Sequence, residues 1–290
     1  MDLGEALRLA TERLGPLGGE ARLEARLLLE FVLGRSRTWL YQHLQSNLSP
    51  AQLAHLNHLV EARLGGEPLA YLLGKREFYG RDFKVDRRVL IPRPETEALI
   101  ESALAFLRTA GLTRPRIVDV GTGSGAIAVT IAAEVPAARV IAVDRSADAL
   151  AVARENARQY GVLARVRFVQ GDLLAGLAGP FDLILANLPY IPTAEIARLQ
   201  PEVRREPRGA LDGGADGLDL YRRLFAQARD RLATCGALFG EIAFNQGASA
   251  TRLARQALPE YAVTIERDLA GQDRLLAARP RVALSRRAVS

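Results

Sequence analysis

Arg116-Ile117-Val118-Asp119-Val120-Gly121-Thr122-Gly123-Ser124-Gly125 decides the fold of this 290-residue chain. Its first half is a short, mostly apolar run of β-formers that reads as a buried strand. Its second half places three glycines at alternate positions, which lets the chain turn sharply and come close to a ligand. A helix is expected from about Ala126, with its free backbone N–H groups aimed at that ligand. Downstream the strand-and-helix pattern repeats. Strands are expected at Arg139–Val143, Arg165–Gln170 and Phe181–Ala186, with a helix at Ala147–Tyr160 between the first two. After an irregular polar segment from Pro192 to Asp216 come a helix near Leu218–Ala233 and a strand at Ala237–Ile242. Strands near Ala262–Arg267 and Arg274–Ala278 complete the set. Strands alternating with helices predict an α/β fold, Rossmann-like, with a mostly parallel sheet covered on both faces.

Upstream, the pattern is helical. Leu3, Ala6, Leu7, Ala10 and Leu14 follow helical spacing and Gly15-Pro16 ends that element. A second helix is expected over about Glu20–Leu33, stopping at Gly34. Ser49-Pro50 opens another, because serine suits an N-cap and proline the first helical position. Glu77–Val85 reads as a hairpin around Gly80-Arg81-Asp82, and a helix is expected from about Glu95 to Ala110. The resulting division is a small helical domain over 1–75, a hairpin linker over 76–93, the α/β domain over 94–280, and a short basic tail over 281–290.

Composition narrows the function. No stretch is apolar over the length a bilayer needs, and Met1-Asp2-Leu3-Gly4-Glu5 does not read as a secretory signal. The single cysteine, Cys235, excludes an internal disulfide and a cysteine-built metal centre; it is expected to be buried. These readings predict a cytoplasmic protein. His55 and His58 stand at i, i+3 with no third ligand in view, so no metal is expected. The net charge of +6 permits nucleic-acid partners without requiring them, and the arginines read as scattered among Asp and Glu. No stable nucleic-acid partner and no membrane partner is therefore expected.

Two aspartates extend the glycine motif. Asp144 ends the second strand, where a carboxylate can accept both hydroxyls of a ribose. Asp172, in Gln170-Gly171-Asp172-Leu173, follows the third strand and could accept from an adenine amino group. Each alone is as well read as a helix cap. The glycines alone would also fit a dinucleotide site. What separates the two is Asn187-Leu188-Pro189-Tyr190, immediately after the strand Phe181–Ala186. A planar nitrogen group could be held there by the Asn187 side-chain oxygen and the Leu188 carbonyl. Pro189 stiffens the turn and Tyr190 offers an aromatic face. A dehydrogenase has no use for these parts. Glu95 and Glu97 fit either a polar network near the site or simply the first turn of a helix.

Together with Ile91-Pro92-Arg93-Pro94-Glu95-Thr96-Glu97, Glu206-Pro207-Arg208, Gly213-Gly214-Ala215-Asp216-Gly217 and Asp268-Leu269-Ala270-Gly271, these motifs resemble the release-factor glutamine methyltransferases, the PrmC/HemK family. The resemblance covers nearly the whole chain. It implies a class I methyltransferase fold with seven strands, S-adenosylmethionine as donor and S-adenosylhomocysteine as product. The acceptor it implies is the glutamine of the Gly-Gly-Gln motif in bacterial peptide chain release factors, held in part by the N-terminal helices. Carried onto matching positions, Asp119, Gly121, Thr122, Gly123, Ser124, Gly125, Asp144, Asp172, Leu173 and Asn187 would bind the donor. Asn187, Leu188, Pro189 and Tyr190 would bind the glutamine, with Asn187, Pro189 and Tyr190 catalytic. The family usually reads Asn-Pro-Pro-Tyr; Leu188 departs from it but keeps its carbonyl. Glutamine methylation of a ribosomal protein, and methylation of an adenine amino group in nucleic acid, are the alternatives the residues leave open.

Overall fold

The computed structural model describes residues 1–268 and 270–281, so Leu269 and the expected basic tail beyond Arg281 lie outside the described residues. The chain forms two compact units, Met1–Lys75 with Gln200–Arg205, and Arg76–Leu199 with Glu206–Ser290.

The smaller unit is built from α1 (Leu3–Leu14), α2 (Ala21–Leu33), α3 (Arg37–Gln42), α4 (Pro50–Leu64) and α5 (Leu69–Leu73). The Asp2 carboxylate caps α1 by accepting from the Glu5 N–H, and Ser49 with Gln52 forms a reciprocal capping box on α4. The apolar stripe Leu3, Leu7, Ala10, Leu14 packs against Leu28, Leu29, Leu56 and Val60. The segment 200–205 is bound here because the Arg63 guanidinium, buried against Glu24, also meets Glu202 at 2.8 Å, and Arg205 donates to the Gly65 carbonyl.

The larger unit begins at Arg76, within the hairpin formed by β1 (Lys75–Phe78) and β2 (Arg81–Lys84). The sequence predicts this hairpin as a linker. Instead Phe78 and Phe83 are fully buried in the core of the larger unit, because each strand buries an aromatic on the same face. A 3₁₀ turn at Pro94–Thr96 then leads into α6 (Glu97–Ala110). The sheet follows: β3 (Arg116–Val120), α7 (Ala126–Glu134), β4 (Arg139–Asp144), α8 (Ala147–Gln159), β5 (Val166–Gln170), β6 (Phe181–Ala186), α9 (Asp219–Ala228), β7 (Leu232–Glu241), α10 (Gly247–Ala257), β8 (Tyr261–Arg267) and β9 (Asp273–Pro280). The sheet order is β5-β4-β3-β6-β7-β9-β8. Pairings from β5 to β7 are parallel; β9 runs antiparallel to both β7 and β8. This is the seven-stranded, mostly parallel sheet that the sequence predicts.

Two boundaries differ from expectation. Helix α9 ends at Ala228 rather than near Ala233, and β7 starts at Leu232 rather than Ala237. Phe181 pairs with Leu232 ahead of an irregularity in the β6–β7 register, which extends the strand backwards beyond its apolar part. Cys235 lies in that extension and is exposed, contrary to its expected burial, because only the later part of β7 enters the core. No helix among the described residues is long and apolar enough to cross a membrane.

Helices α6, α7 and α8 lie against one sheet face, with the core around Ile117, Leu183 and Phe239. Helices α9 and α10 lie against the other, with the core around Val118, Ile184 and Leu238. Strand order reverses between β3 and β6, whose last residues pair as Val120 with Ala186. In an open parallel sheet the crevice beyond the carboxyl ends of two such strands is where ligands bind. The glycine turn follows β3 and the Asn187 turn follows β6, so the sheet brings the two motifs together.

Candidate active site

A cavity of about 220 Å³ opens at that reversal point. Gly121, Gly123, Asp144, Asp172, Leu173, Asn187, Leu188 and Pro189 all line it. Gly121 has φ +75°, and a Cβ placed on it would stand 2.9 Å from Leu188 Cδ2. Glycine is therefore required both by the backbone and by the close approach of the Asn187 turn. The Asp144 carboxylate accepts from the Gly123 N–H and the Ser146 N–H, each at 2.9 Å. Two of its four lone-pair positions are thereby used and two remain.

Not every residue of the glycine motif lines the cavity. Asp119, Thr122, Ser124 and Gly125, also expected to bind a donor, are not among its lining residues. They hold the turn from behind. Fully buried Asp119 accepts from the Thr122 hydroxyl at 2.6 Å and the Ala128 N–H at 3.1 Å, pinning the start of α7 to the end of β3. Its other oxygen, Oδ1, has no partner. Burial, partly opposed by the Thr122 and Ala128 bonds, pushes its carboxyl up to about 7. Asp172 is exposed and ion-paired with Arg223.

The Asn187 turn is oriented from the opposite side. Asn187 Nδ2 donates to Thr96 Oγ1 and to Glu241 Oε2, both at 3.0 Å. Thr96 Oγ1 donates in turn to Glu241 Oε2 at 2.6 Å, and the Tyr190 hydroxyl donates to Glu241 Oε1 at 3.2 Å. Thr96 Oγ1 and Glu241 Oε2 lie on the same side of the Asn187 amide nitrogen and share its N–H donation, which turns Nδ2 towards the carboxylate and Oδ1 away from it. Among the described residues neither Asn187 Oδ1 nor the Leu188 carbonyl takes a hydrogen bond. The turn therefore presents two adjacent acceptors, which matches the two N–H hydrogens of a primary amide. Burial raises the Glu241 carboxyl above its ordinary value, countered by Thr96, by the positive charge of Arg274 and by Tyr190. Burial, then the Glu241 charge, raises the Tyr190 hydroxyl well above its ordinary value.

Thr96 and Glu241 are the residues that the sequence reading missed. Thr96 precedes α6 and looks like its cap, yet its hydroxyl makes no capping bond. The network takes that hydroxyl instead. Glu241 ends β7 after the apolar run Ala237–Phe239. That is the strand-end position which singles out Asp144, so the same rule applied to β7 would have found it. Glu97 belongs to a different contact, accepting from the Tyr79 backbone N–H at 2.9 Å.

The remaining motifs support the turn. The buried carboxylate of Glu206 accepts from the Ile91 N–H at 2.9 Å and pairs with Arg93, which joins Ile91–Glu97 to Glu206–Arg208. A Cβ on Gly217, at φ +77°, would overlap the Tyr190 carbonyl oxygen, so only glycine lets this loop close on the turn. Gln246 donates to that same carbonyl at 2.9 Å. Asp268 accepts from the Ala270 and Gln272 N–H groups and pairs with Arg274, whose charge acts on Glu241. Leu188, where the resemblance leads one to expect proline, is buried and packs over Gly121.

Comparison with known proteins agrees with this architecture. Residues 5–74 match the model of the PrmC N-terminal domain, and residues 117–209 match a general methyltransferase domain. A release factor glutamine methyltransferase of Bordetella pertussis is 48% identical over 260 residues, covering 89% of this chain and 94% of that protein. One from Moorella thermoacetica is 46% identical over 272 residues, covering 90% and 95%. Among solved structures, the T. thermophilus 16S rRNA N2 G1207 methyltransferase in complex with AdoMet and guanosine superposes with a TM-score of 0.50 at 16% identity. It covers 71% of this chain and 50% of that one, a likeness of fold alone.

Proposed function

The chain belongs to the release factor glutamine methyltransferases, and we propose that it methylates the side-chain amide nitrogen of the Gly-Gly-Gln glutamine in bacterial peptide chain release factors, with S-adenosylmethionine as donor. The observation that carries this reading is the pair of unpartnered acceptors, Asn187 Oδ1 and the Leu188 carbonyl, beside a glycine-walled cavity.

The residues present suit the donor. Gly121 and Gly123 leave the cavity wall without side chains. The two remaining lone-pair positions of Asp144 suit the hydroxyls of a ribose. Asp172 and the buried Leu173 line the same cavity, and in this reading they would hold the adenine at its amino edge and its face. When bound, S-adenosylmethionine supplies an electrophilic methyl group on a sulfonium.

An amide nitrogen is a poor nucleophile, so the work of this chain is positioning. Asn187 Oδ1 and the Leu188 carbonyl accept the two amide hydrogens and fix the plane of the acceptor. Pro189 keeps the turn rigid and Tyr190 packs on the flat group. Hydrogen bonds to these two oxygens also favour the positive charge that develops on nitrogen as it is alkylated. A proton then leaves the charged nitrogen for solvent, and no side chain is required as a base. A free glutamine offers little contact area, so the helices of residues 1–75 bind the rest of the release factor and supply remote binding energy.

The test is incubation of the protein with methyl-labelled donor and purified release factor, followed by mass mapping. Label on the Gly-Gly-Gln glutamine is the expected result. Label absent there, or present on DNA or RNA oligonucleotides at a comparable rate, refutes the reading. The naming of relatives at this level of identity does not favour the ribosomal-protein or adenine alternatives.

A further inference from the structure

At the opposite edge of the sheet from the active site, five arginines converge. Arg114, Arg116, Arg139, Arg165 and Arg167 line a cleft of about 470 Å³, and no acidic residue lines it with them. In sequence these arginines read as scattered; folding gathers them, because β3, β4 and β5 all enter the sheet at this edge. Arg116 pairs with Arg139 across β3 and β4, and Val140 pairs with Val166 across β4 and β5. Arg116, Arg139 and Arg165 therefore stand in a row at three neighbouring strand entries. Parallel strands lie about 4.8 Å apart, so the row spans about 10 Å.

Grouping without a carboxylate partner sets these side chains apart. Elsewhere in this unit many arginines are matched to carboxylates, as in Arg81–Glu134, Arg93–Glu206 and Arg279–Glu266. In the cleft, Arg114, Arg139 and Arg167 are exposed, and none of their side chains has a hydrogen-bond or ion-pair partner among the described residues. Arg116 donates to the Ala178 carbonyl and lies over the Phe181 ring, and Arg165 donates to the carbonyls of Ala132 and Pro136. Neither is neutralised. Asp182 accepts from the Arg116 backbone N–H at 2.8 Å, and Glu134 is held by Arg81.

We propose that this cleft is a docking site for the phosphate backbone of a nucleic-acid strand, separate from the methyl-transfer site. Guanidinium groups match phosphate with two parallel hydrogen bonds. Successive phosphates along an extended single strand stand about 6–7 Å apart, roughly twice the axial rise in a duplex, so about two phosphates fit along the row. Phe181 is fully buried beneath Arg116 and offers no face to a base, so recognition is of backbone and independent of sequence. The proposal revises the expectation of no nucleic-acid partner, and it stands whether or not the acceptor is a release factor.

Fluorescence anisotropy with labelled oligouridylate tests it. Two phosphate contacts predict a log–log salt slope of about −1.4, so affinity falls about 7-fold between about 50 and 200 mM KCl. Arg139→Glu/Arg167→Glu should weaken binding at least about 10-fold and bring the slope above about −1. Both side chains are exposed and unpaired, so the variant should melt with the parent protein. Arg22→Glu/Arg252→Glu, exposed arginines outside the cleft with the same change of net charge, should lose less than about threefold. Equal losses in the two variants would overturn the proposal in favour of bulk charge. Equally tight binding of inorganic pyrophosphate would make this a small-anion pocket, and equally tight binding of oligoglutamate would make it a protein contact. Either result also refutes the proposal.

Discussion

Replacing Asn187 with aspartate puts the orienting network to a direct test. In the native protein the Asn187 amide gives a hydrogen to Glu241 Oε2 across 3.0 Å. In Asn187→Asp that hydrogen is gone and two carboxylates face each other at that separation. With an effective dielectric constant of about 20, two unit charges 3.0 Å apart repel by about 5.5 kcal/mol. Protonating one of them avoids the repulsion. For a carboxyl of ordinary pKa about 4.3 this would cost about 5 kcal/mol at pH 8 but only about 1 kcal/mol at pH 5, and burial of Glu241, which already raises its carboxyl, makes both figures upper limits. The folded pair thus holds a carboxyl pKa above its unfolded value. Its stability is intact below the unfolded pKa and is lost as pH rises towards the folded one. Urea unfolding should therefore find the variant destabilised by up to about 5 kcal/mol relative to the native protein at pH 8 and by no more than about 1 kcal/mol at pH 5. Adding Glu241→Gln supplies a donor where the charge was, and should recover most of that loss at pH 8. It should also restore part of the methyl transfer, because the carboxylate introduced by Asn187→Asp again offers an oxygen towards the acceptor. An Asn187→Asp variant whose unfolding midpoint differs from the native one by the same amount at pH 5 and pH 8 would refute the reasoning.

Other outcomes follow from the same geometry. The Asp119 carboxyl, held near 7 by burial, binds a proton in the folded state that the unfolded chain releases near 3.8, so it subtracts stability progressively as pH rises between those values. Asp119→Asn should raise the melting temperature relative to the native protein at pH 8 and leave it nearly unchanged at pH 4, as scanning calorimetry can measure; a gain at pH 4 only would contradict the burial argument. Leu188→Pro restores the family pattern but removes a buried side chain from over Gly121 and a backbone N–H, and should cost about 1–3 kcal/mol in urea unfolding with weaker donor binding by calorimetric titration. An unchanged midpoint would mean that the leucine packing contributes nothing. Gly217→Ala drives a methyl group into the Tyr190 carbonyl at a left-handed φ, and should lower kcat at saturating donor by at least about tenfold while leaving donor affinity within about twofold. Native kcat in a folded Gly217→Ala protein would show that this loop does not set the turn.

What the sequence alone determined was whatever depends on local pattern. Apolar strands such as Arg116–Val120 and Phe181–Ala186 are short and bounded by turn residues, so their limits could be read directly. Asp144 and the Asn187 turn announced themselves because strand ends in a parallel sheet carry the chemistry. What only tertiary structure decided was which distant groups meet. Thr96 and Glu241 are separated by 145 residues, and nothing local to either reveals that both converge on the Asn187 amide. Asp119 and Asp144 are both acidic strand-end residues, yet one is sealed beneath the glycine turn and the other faces the cavity. Cys235 emerged exposed because the register of β7 against β6 pushed the strand back beyond its apolar part. The arginines that looked dispersed along 114–167 became one cleft because parallel strands all enter the sheet at the same edge. Pairing across a sheet is set by neighbours distant in sequence, and charge is summed in space rather than along the chain.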